Sequence, residues 1–360
     1  RRDKGFTIFY MGINLGSVLA GIIVGYVGQE YGWHYGFGLA GIGMLFGQLQ
    51  FMYGQKYLVN VGNYIKPEPV PEGEEKPNHL AGLLQTPVVL TLVVLIVLLG
   101  TYVAYLGFTG SGWRDVLYGV LVMIAGPILG IGINIYRHEL DSVEKDRVVV
   151  LLVAFLIVIA FWGAFEQAGG LMNLFAENKT DRNILGLWQA TAAQFQSLNP
   201  AFILIFGVAV ANFWIMWRKA GREESAIFKM AIGNIIMGLG FVVMVGASTV
   251  ADDGQLASYW WLVGAYLLHT IVELCSSPVA LSFITKLAPI RYASIMMGLY
   301  FAMTGLGNKV AGLLGESSSE YGETQVYASI AIFSIAIGLL LIVFLKKLKK
   351  ITHGAEEIIS

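Results

Sequence analysis

Ten runs of mostly apolar residues, each long enough to cross the roughly 30 Å hydrocarbon core of a bilayer as a helix, follow one another along the chain. They lie at 6–28, 35–56, 87–108, 115–136, 148–175, 195–217, 228–250, 258–287, 292–314 and 325–345. The stretches 87–108 and 148–165 carry no charged residue at all. Charged residues gather in the short segments between runs, so polar and apolar character alternates along the chain rather than around each helix. An unpaired backbone group in lipid costs several kcal/mol, and the runs are too long and too unalternating for barrel strands, which leaves helices. With 56% hydrophobic and 13% charged residues, against roughly 25% charged in a soluble domain, the chain is expected to be an all-α polytopic membrane protein with ten spans.

Lys and Arg are enriched in cytoplasmic loops. If the first span starts inside, nineteen of the 23 fall on the inner side, only Arg114, Lys179 and Arg182 fall outside, and Lys309 sits near an outer helix end within snorkelling reach. Both chain ends are thus expected in the cytoplasm, with Trp260 and Trp261 at an outer boundary. The segment 57–86 holds Pro67, Pro69, Pro71 and Pro77 among Glu68, Glu72, Glu74 and Glu75 and reads as a cytoplasmic linker. The organisation is two helices (1–56), linker, a hairpin (87–136), a second cytoplasmic linker (137–147), six closely connected helices (148–350) and a cytoplasmic tail (351–360). Six helices in short-loop succession have the size of one half of a major facilitator bundle. The chain opens on Arg1 with no signal-peptide pattern and reads as part of a longer protein.

Enzyme signatures are absent: His138-Glu139 does not continue as a zinc-binding helix motif, and there is neither a phosphate-cradling glycine loop nor a nucleophile elbow. The chain is not expected to be an enzyme or to bind nucleic acid. Its single cysteine, Cys275, excludes an intrachain disulfide.

An ionised side chain at the bilayer centre costs roughly 2.5–3.5 kcal/mol, so acidic residues deep in a span are functional candidates. Glu273 lies 14 residues past Tyr259 in one span, followed one turn later by Ser277 and then Pro278, and Glu166 follows Trp162 by one turn in another. Burial disfavours the charged form of a carboxyl and a nearby cation restores it, so such a group takes up and releases protons as its partner changes. Asn14, and Gln196 with Asn199 and Pro200, are polar positions near small residues or a proline, suited either to interhelical hydrogen bonds or to a ligand. Gly12, Gly16, Gly21 and Gly25, and again Gly305 and Gly312, suit close helix crossings. His269 and Cys275 read as satisfied core residues rather than ligands.

Several segments carry a family resemblance. Arg1-Arg2-Asp3-Lys4-Gly5-Phe6-Thr7-Ile8-Phe9-Tyr10-Met11-Gly12-Ile13-Asn14-Leu15-Gly16-Ser17 resembles the opening of the fifth helix of the proton-coupled oligopeptide transporter family of the major facilitator superfamily. Phe161-Trp162-Gly163-Ala164-Phe165-Glu166-Gln167 resembles its seventh helix, and Gln196-Ser197-Leu198-Asn199-Pro200 its eighth. Glu273-Leu274-Cys275-Ser276-Ser277-Pro278 with Thr285-Lys286-Leu287-Ala288-Pro289 resembles the tenth, and Met296-Met297-Gly298-Leu299-Tyr300-Phe301 the eleventh. The hairpin 87–136 resembles the two extra helices that prokaryotic members insert between the bundles. The resemblance implies a bacterial inner-membrane symporter for di- and tripeptides, with protons as coupling ion, no other cofactor and the lipid bilayer as its surroundings. It implies that Glu273, with Ser277 beside it, holds the peptide amino terminus, and that Glu166 and Glu273 couple protons. Asn14 and Asn199 would contact the peptide backbone, while Trp162 and Tyr300 would wall the pocket. Tyr300 stands where bacterial members are expected to carry tryptophan. Oligomeric state is not encoded in any of these motifs. Two other readings fit the same spans, a transporter of nitrate or another small solute, and a non-transporting receptor or scaffold.

Overall fold

The computed structural model describes residues 2–58 and 87–355. The proline- and glutamate-rich linker and the last residues of the tail lie outside them. The chain divides into two compact units, Arg1–Val59 with Asp146–Ser360, and Asn60–Lys145.

In the smaller unit, α4 (Pro87–Leu106) and α5 (Trp113–His138) form an antiparallel pair. Small residues set their spacing, because a Cβ at Gly100 would stand 2.6 Å from the Gly119 carbonyl oxygen and 2.7 Å from the Met123 nitrogen. Between helices in lipid there is no hydrophobic gain, so close backbone approach at such positions supplies the attraction.

The larger unit begins with α1 (Arg2–Leu19), a π-helical turn (Ala20–Val24) and α2 (Gly25–Tyr31), which run on as one rod. Gly32, at φ 114°, ends the rod in a conformation a side chain would resist, and α3 (Trp33–Gly54) follows. The run expected at 148–175 is not one helix. It is α6 (Ser142–Phe165), a single 3-10 turn at Glu166–Ala168, a glycine pair and the short α7 (Leu171–Asn178). After two small strand pairings (β1, Thr180–Asp181; β2, Asn183–Ile184; β3, Trp188–Gln189; β4, Ala257–Ser258) and the single-turn α8 (Ala192–Phe195) come the long helices. These are α9 (Leu198–Lys219), α10 (Ala226–Asp252), α11 (Tyr259–Leu287), α12 (Ala293–Tyr321) and α13 (Glu323–Ile351). Ser225 and Ser258 cap α10 and α11 by accepting from the Phe228 and Trp260 N–H groups. β1 pairs in parallel with β4, tying the segment after α7 to the start of α11.

Eight segments among the described residues are long and apolar enough to cross a membrane. The other two expected spans, 35–56 and 292–314, are also helical, as α3 and α12. Glycines with His34, Gln48 and Gln50 in α3, and Asn308, Lys309 and Glu316 in α12, dilute their apolar content below that of the eight.

α10 is the axis of the larger unit, packed against α11 on one side and α13 on the other. The α10–α13 crossing is reciprocal. A Cβ at Gly238 would stand 2.7 Å from the Ala331 carbonyl oxygen, and one at Gly338 would stand 2.6 Å from the Ala231 carbonyl oxygen. Phe175, Phe241, Met244, Tyr266 and Tyr327 fill the surrounding interior. The crossing glycines differ in part from those expected. Gly12, Gly16, Gly305 and Gly312 have no neighbour within 4 Å of a built Cβ, whereas Gly21 abuts Ser197, Gly25 abuts Ala193, and on α12 it is Gly307 that meets Trp162. A four-residue spacing marks one stripe of a helix, and which stripe meets a neighbour is a tertiary choice.

Candidate functional site

The break in the third run creates the site. Helix hydrogen bonding stops at Phe165 and turns through Glu166, Gln167 and Ala168, so Glu166 leaves the end of a helix rather than the middle of one. Gln167 anchors the break: it is buried, and its Nε2 donates to the Gly163 carbonyl at 3.2 Å and to the Ala311 carbonyl at 3.0 Å, joining α6 to α12. The Tyr266 hydroxyl of α11 donates to the Ala168 carbonyl at 3.2 Å. The bonds to Gly163 and Ala168 satisfy backbone carbonyls at the broken helix end, groups that would otherwise be costly to bury.

Beside this turn lies a cavity of about 200 Å³ lined by Phe165, Glu166, Ala168, Gly169, Gln196, Asn199, Tyr266 and His269. Three elements converge on it: the α6 break, the start of α9 and the middle of α11. Asn199 lies in the first turn of α9, where an N–H has no helical partner, so Pro200 beside it leaves the helix unbroken and does not act as a kink. The Asn199 amide Nδ2 donates to Glu273 Oε2 at 2.8 Å and to Thr270 Oγ1 at 3.2 Å. Thr270 in turn donates to the Tyr266 carbonyl at 2.7 Å. One side-chain chain therefore runs from the cavity wall to Glu273.

Of the residues singled out in the sequence, Glu166, Gln196, Asn199 and His269 line one space, and Glu273 is tied to it through its hydrogen bond with Asn199. Trp162 and Tyr300 come together elsewhere, lining a second space of about 20 Å³ with Phe161, Asn234 and Ser276. That volume suits roughly one water. Asn14 is buried in α1, which packs along α9, and is not among the residues lining either space. The Ser277 side chain lies outside the described ones. Cys275 is buried as expected, accepting from the Trp214 indole N–H at 3.4 Å. His269 is buried but not satisfied, since neither ring nitrogen has a hydrogen-bond partner. Tyr266, His269 and Thr270 are not among the site residues expected from the sequence. Their spacing of seven, four and three residues before Glu273, one face of a helix, is the signal that would have found them.

Lys179, between α7 and β1, pairs with Asp252 at 3.4 Å and Glu323 at 3.2 Å. Burial alone would lower its ammonium pKa, and the two carboxylates more than reverse this, holding it above its ordinary value. α1 and α2 meet the α7–α9 region through a row of hydrogen bonds. Ser197 Oγ donates to the Val18 carbonyl at 3.3 Å, the Ala193 N–H donates to Gln29 Oε1 at 3.0 Å, and Gln29 Nε2 donates to Glu177 Oε2 at 3.0 Å.

The PTR2 family model, described as the POT family, matches residues 1–329. The chain is 34% identical to the peptide transporter YePEPT of Yersinia enterocolitica, across 99% of this chain and 70% of that protein. It is 28% identical to a di-/tripeptide transporter of Lactococcus lactis, across 98% of this chain and 69% of that protein. Among solved structures it resembles the crystal structure of peptide transporter POT in complex with sulfate, with a TM-score of 0.75 and 30% identity over 98% of this chain and 69% of that one. A POT family transporter in complex with 5-aminolevulinic acid aligns with a TM-score of 0.71 at 27% identity, over 96% of this chain and 69% of that one. With this match over most of its length, and with helices that suit a bilayer, the chain is a multi-pass membrane protein that belongs to the POT family.

Proposed function

We propose that this protein imports di- and tripeptides together with protons by alternating access. The observation that carries the reading is the 2.8 Å hydrogen bond from Asn199 to Glu273 beside a cavity that Glu166 also lines. Two carboxyl groups near one cavity have the chemistry to bind an ammonium group and to exchange a proton. In this reading Glu273 pairs with the peptide amino terminus, and Asn199 passes from Glu273 to the peptide backbone as the ligand enters. Glu166, at the helix break, takes part in proton coupling. Ser277 assists Glu273, Asn14 contacts the backbone from α1, and Trp162 and Tyr300 wall the side-chain end of the pocket. Residues 1–56 close one helical bundle, 87–136 form the inserted hairpin and 148–350 form the second bundle. Both chain ends face the cytoplasm of a bacterial inner membrane, and no cofactor beyond the coupling proton takes part. The names of the relatives, transporters of peptides and of di- and tripeptides, support this cargo, and a carboxyl at the centre of the site disfavours a purely anionic one.

Reconstitution of the full-length protein tests the reading. Glu273→Gln is expected to abolish proton-driven dipeptide uptake into vesicles, and Glu166→Gln to abolish proton-driven uptake while sparing exchange of peptide for peptide. Unimpaired uptake by Glu273→Gln would overturn the assignment, and peptide entry without acidification of the lumen would overturn the coupling.

A further inference from the structure

His269 sits in the wall of the cavity with 1% of its surface exposed, and neither ring nitrogen has a hydrogen-bond partner. A buried donor or acceptor left without a partner is costly, so a ring in this position calls for a reason. Its placement is tightly defined. The Phe241 ring lies against it with centroids 4.7 Å apart. On its edge, a Cβ at Gly240 would come within 2.5 Å of both Cδ2 and Nε2, so the glycine is what admits the imidazole. The Cδ2–Nε2 edge therefore faces α10, where the Met237 carbonyl also lies near the ring, although short of hydrogen-bond geometry. In a five-membered ring the atom opposite that edge is Nδ1, which consequently points away from α10. A neutral imidazole carries a proton on one nitrogen and a lone pair on the other. Because Met237 and Gly240 belong to the same helix, which the Cδ2–Nε2 edge faces, we assign the proton to Nε2, and Nδ1 is left as an acceptor without a partner among the described residues.

We propose that His269 is a substrate-binding residue, whose Nδ1 accepts a hydrogen bond from the amide N–H of the transported peptide. This rests on the transport reading above and extends it to a residue outside the segments that carry the family resemblance. His269 precedes Glu273 by four residues, so it lies on the same face of α11 about 6 Å along the axis. In a dipeptide the ammonium nitrogen and the amide nitrogen are about 3.5 Å apart. A ligand whose ammonium meets Glu273 thus brings its amide N–H toward His269 with one hydrogen bond at each end. The nitrogens are closed to solvent in the present arrangement, and the rocking that admits a peptide opens the wall to it. The unmet acceptor then becomes a means of preferring peptides, which bring a donor to that point, over solutes that bring none.

The test uses two ligands and two variants of the full-length protein. Ligands are alanyl-glycine and alanyl-sarcosine, in which a methyl group replaces the amide hydrogen, and binding is measured by isothermal titration. Wild type is expected to bind the first about tenfold more tightly. His269→Phe, which keeps ring volume and the contact with Phe241, is expected to bind both alike. His269→Asn, whose side-chain oxygen falls near the place of Nδ1, is expected to restore at least half of the preference in free-energy terms. If His269→Phe discriminates between the ligands as wild type does, the proposal is overturned, and so it is if wild type binds both equally. Wild type that binds neither ligand refutes the transport reading instead, which keeps the two failures apart. Matching unfolding midpoints for the variants remove a merely structural explanation.

Discussion

The Asn199–Glu273 hydrogen bond makes a prediction that is independent of any ligand. At 2.8 Å it falls in the range of charge-assisted bonds, whereas the second bond of the same amide, to Thr270 at 3.2 Å, is at the long end for N–H···O. Most of the energy therefore belongs to the carboxyl partner. A hydrogen bond to a charged group contributes about 1.5–3 kcal/mol, and one between neutral groups about 0.5–1.5 kcal/mol. Asn199 lines a cavity in which water replaces part of a lost donor, so Asn199→Ala is expected near the lower end, about 1.5 kcal/mol. The bond is strengthened when the carboxyl is ionised, so the comparison is made at alkaline pH, and Glu273→Gln removes that charge. In that background Asn199→Ala should cost no more than about 0.5 kcal/mol, which leaves a coupling of about 1 kcal/mol between the two positions. The assay is unfolding of the ligand-free, full-length protein in mixed micelles for wild type, both single variants and the double variant. Effects that add to within about 0.3–0.5 kcal/mol would show the two side chains to be energetically independent, and the reasoning that ties α9 to α11 through this bond would fail.

Three further outcomes follow from the packing and the surface charges. Gly338→Leu forces atoms into the Ala231 carbonyl 2.6 Å from the first added carbon, and should destabilise the protein by about 1–3 kcal/mol, read as a lowered unfolding midpoint; an unchanged midpoint would refute the α10–α13 crossing. Gln29→Leu removes both the acceptor for the Ala193 N–H and the donor to Glu177, and should raise the exposure of a cysteine-substituted Ala193 to a water-soluble thiol reagent, whereas equal labelling would show that this contact does not persist in solution. Burial pushes the Glu223 carboxyl up, but the Ser225 N–H and the Lys349 ammonium more than offset this and hold it below its ordinary value. Its folded pKa being depressed, its stabilising contribution is complete above the usual carboxylate range and is lost as pH falls through the lowered value. The difference in unfolding midpoint between wild type and Glu223→Gln should therefore be largest near neutral pH and close on acidification, and a difference independent of pH would contradict the assignment.

How much of the site could be read from the chain depended on the kind of signal each residue carried. Glu273 and Glu166 stand out because a carboxyl among apolar residues is costly wherever the helix faces. Asn199 stood out as a polar group beside a proline, but its role came from the short bond to Glu273, a contact between residues 74 apart. His269 reads in sequence as a satisfied core residue, since burial and satisfaction look alike there. They separate only when the neighbouring helix is seen to present Gly240 and Phe241 to the ring in place of a hydrogen-bond partner. Trp162 and Tyr300, which the family resemblance sets in the wall of the peptide pocket, line a smaller space in this structure, a placement that depends on how α6 and α12 are rotated.

The sequence by itself determined that this chain is a set of helices in a bilayer and which segments they occupy. Backbone groups in lipid must bond within their own segment, so the length of an apolar run is enough to specify its structure. Only the tertiary structure decided that the run around Glu166 breaks at that residue, which glycines carry the crossings, and which polar side chains share a cavity. Between helices in lipid the deciding forces are close packing and individual hydrogen bonds, and these depend on how each helix is rotated toward its neighbour, which an apolar run in sequence does not record.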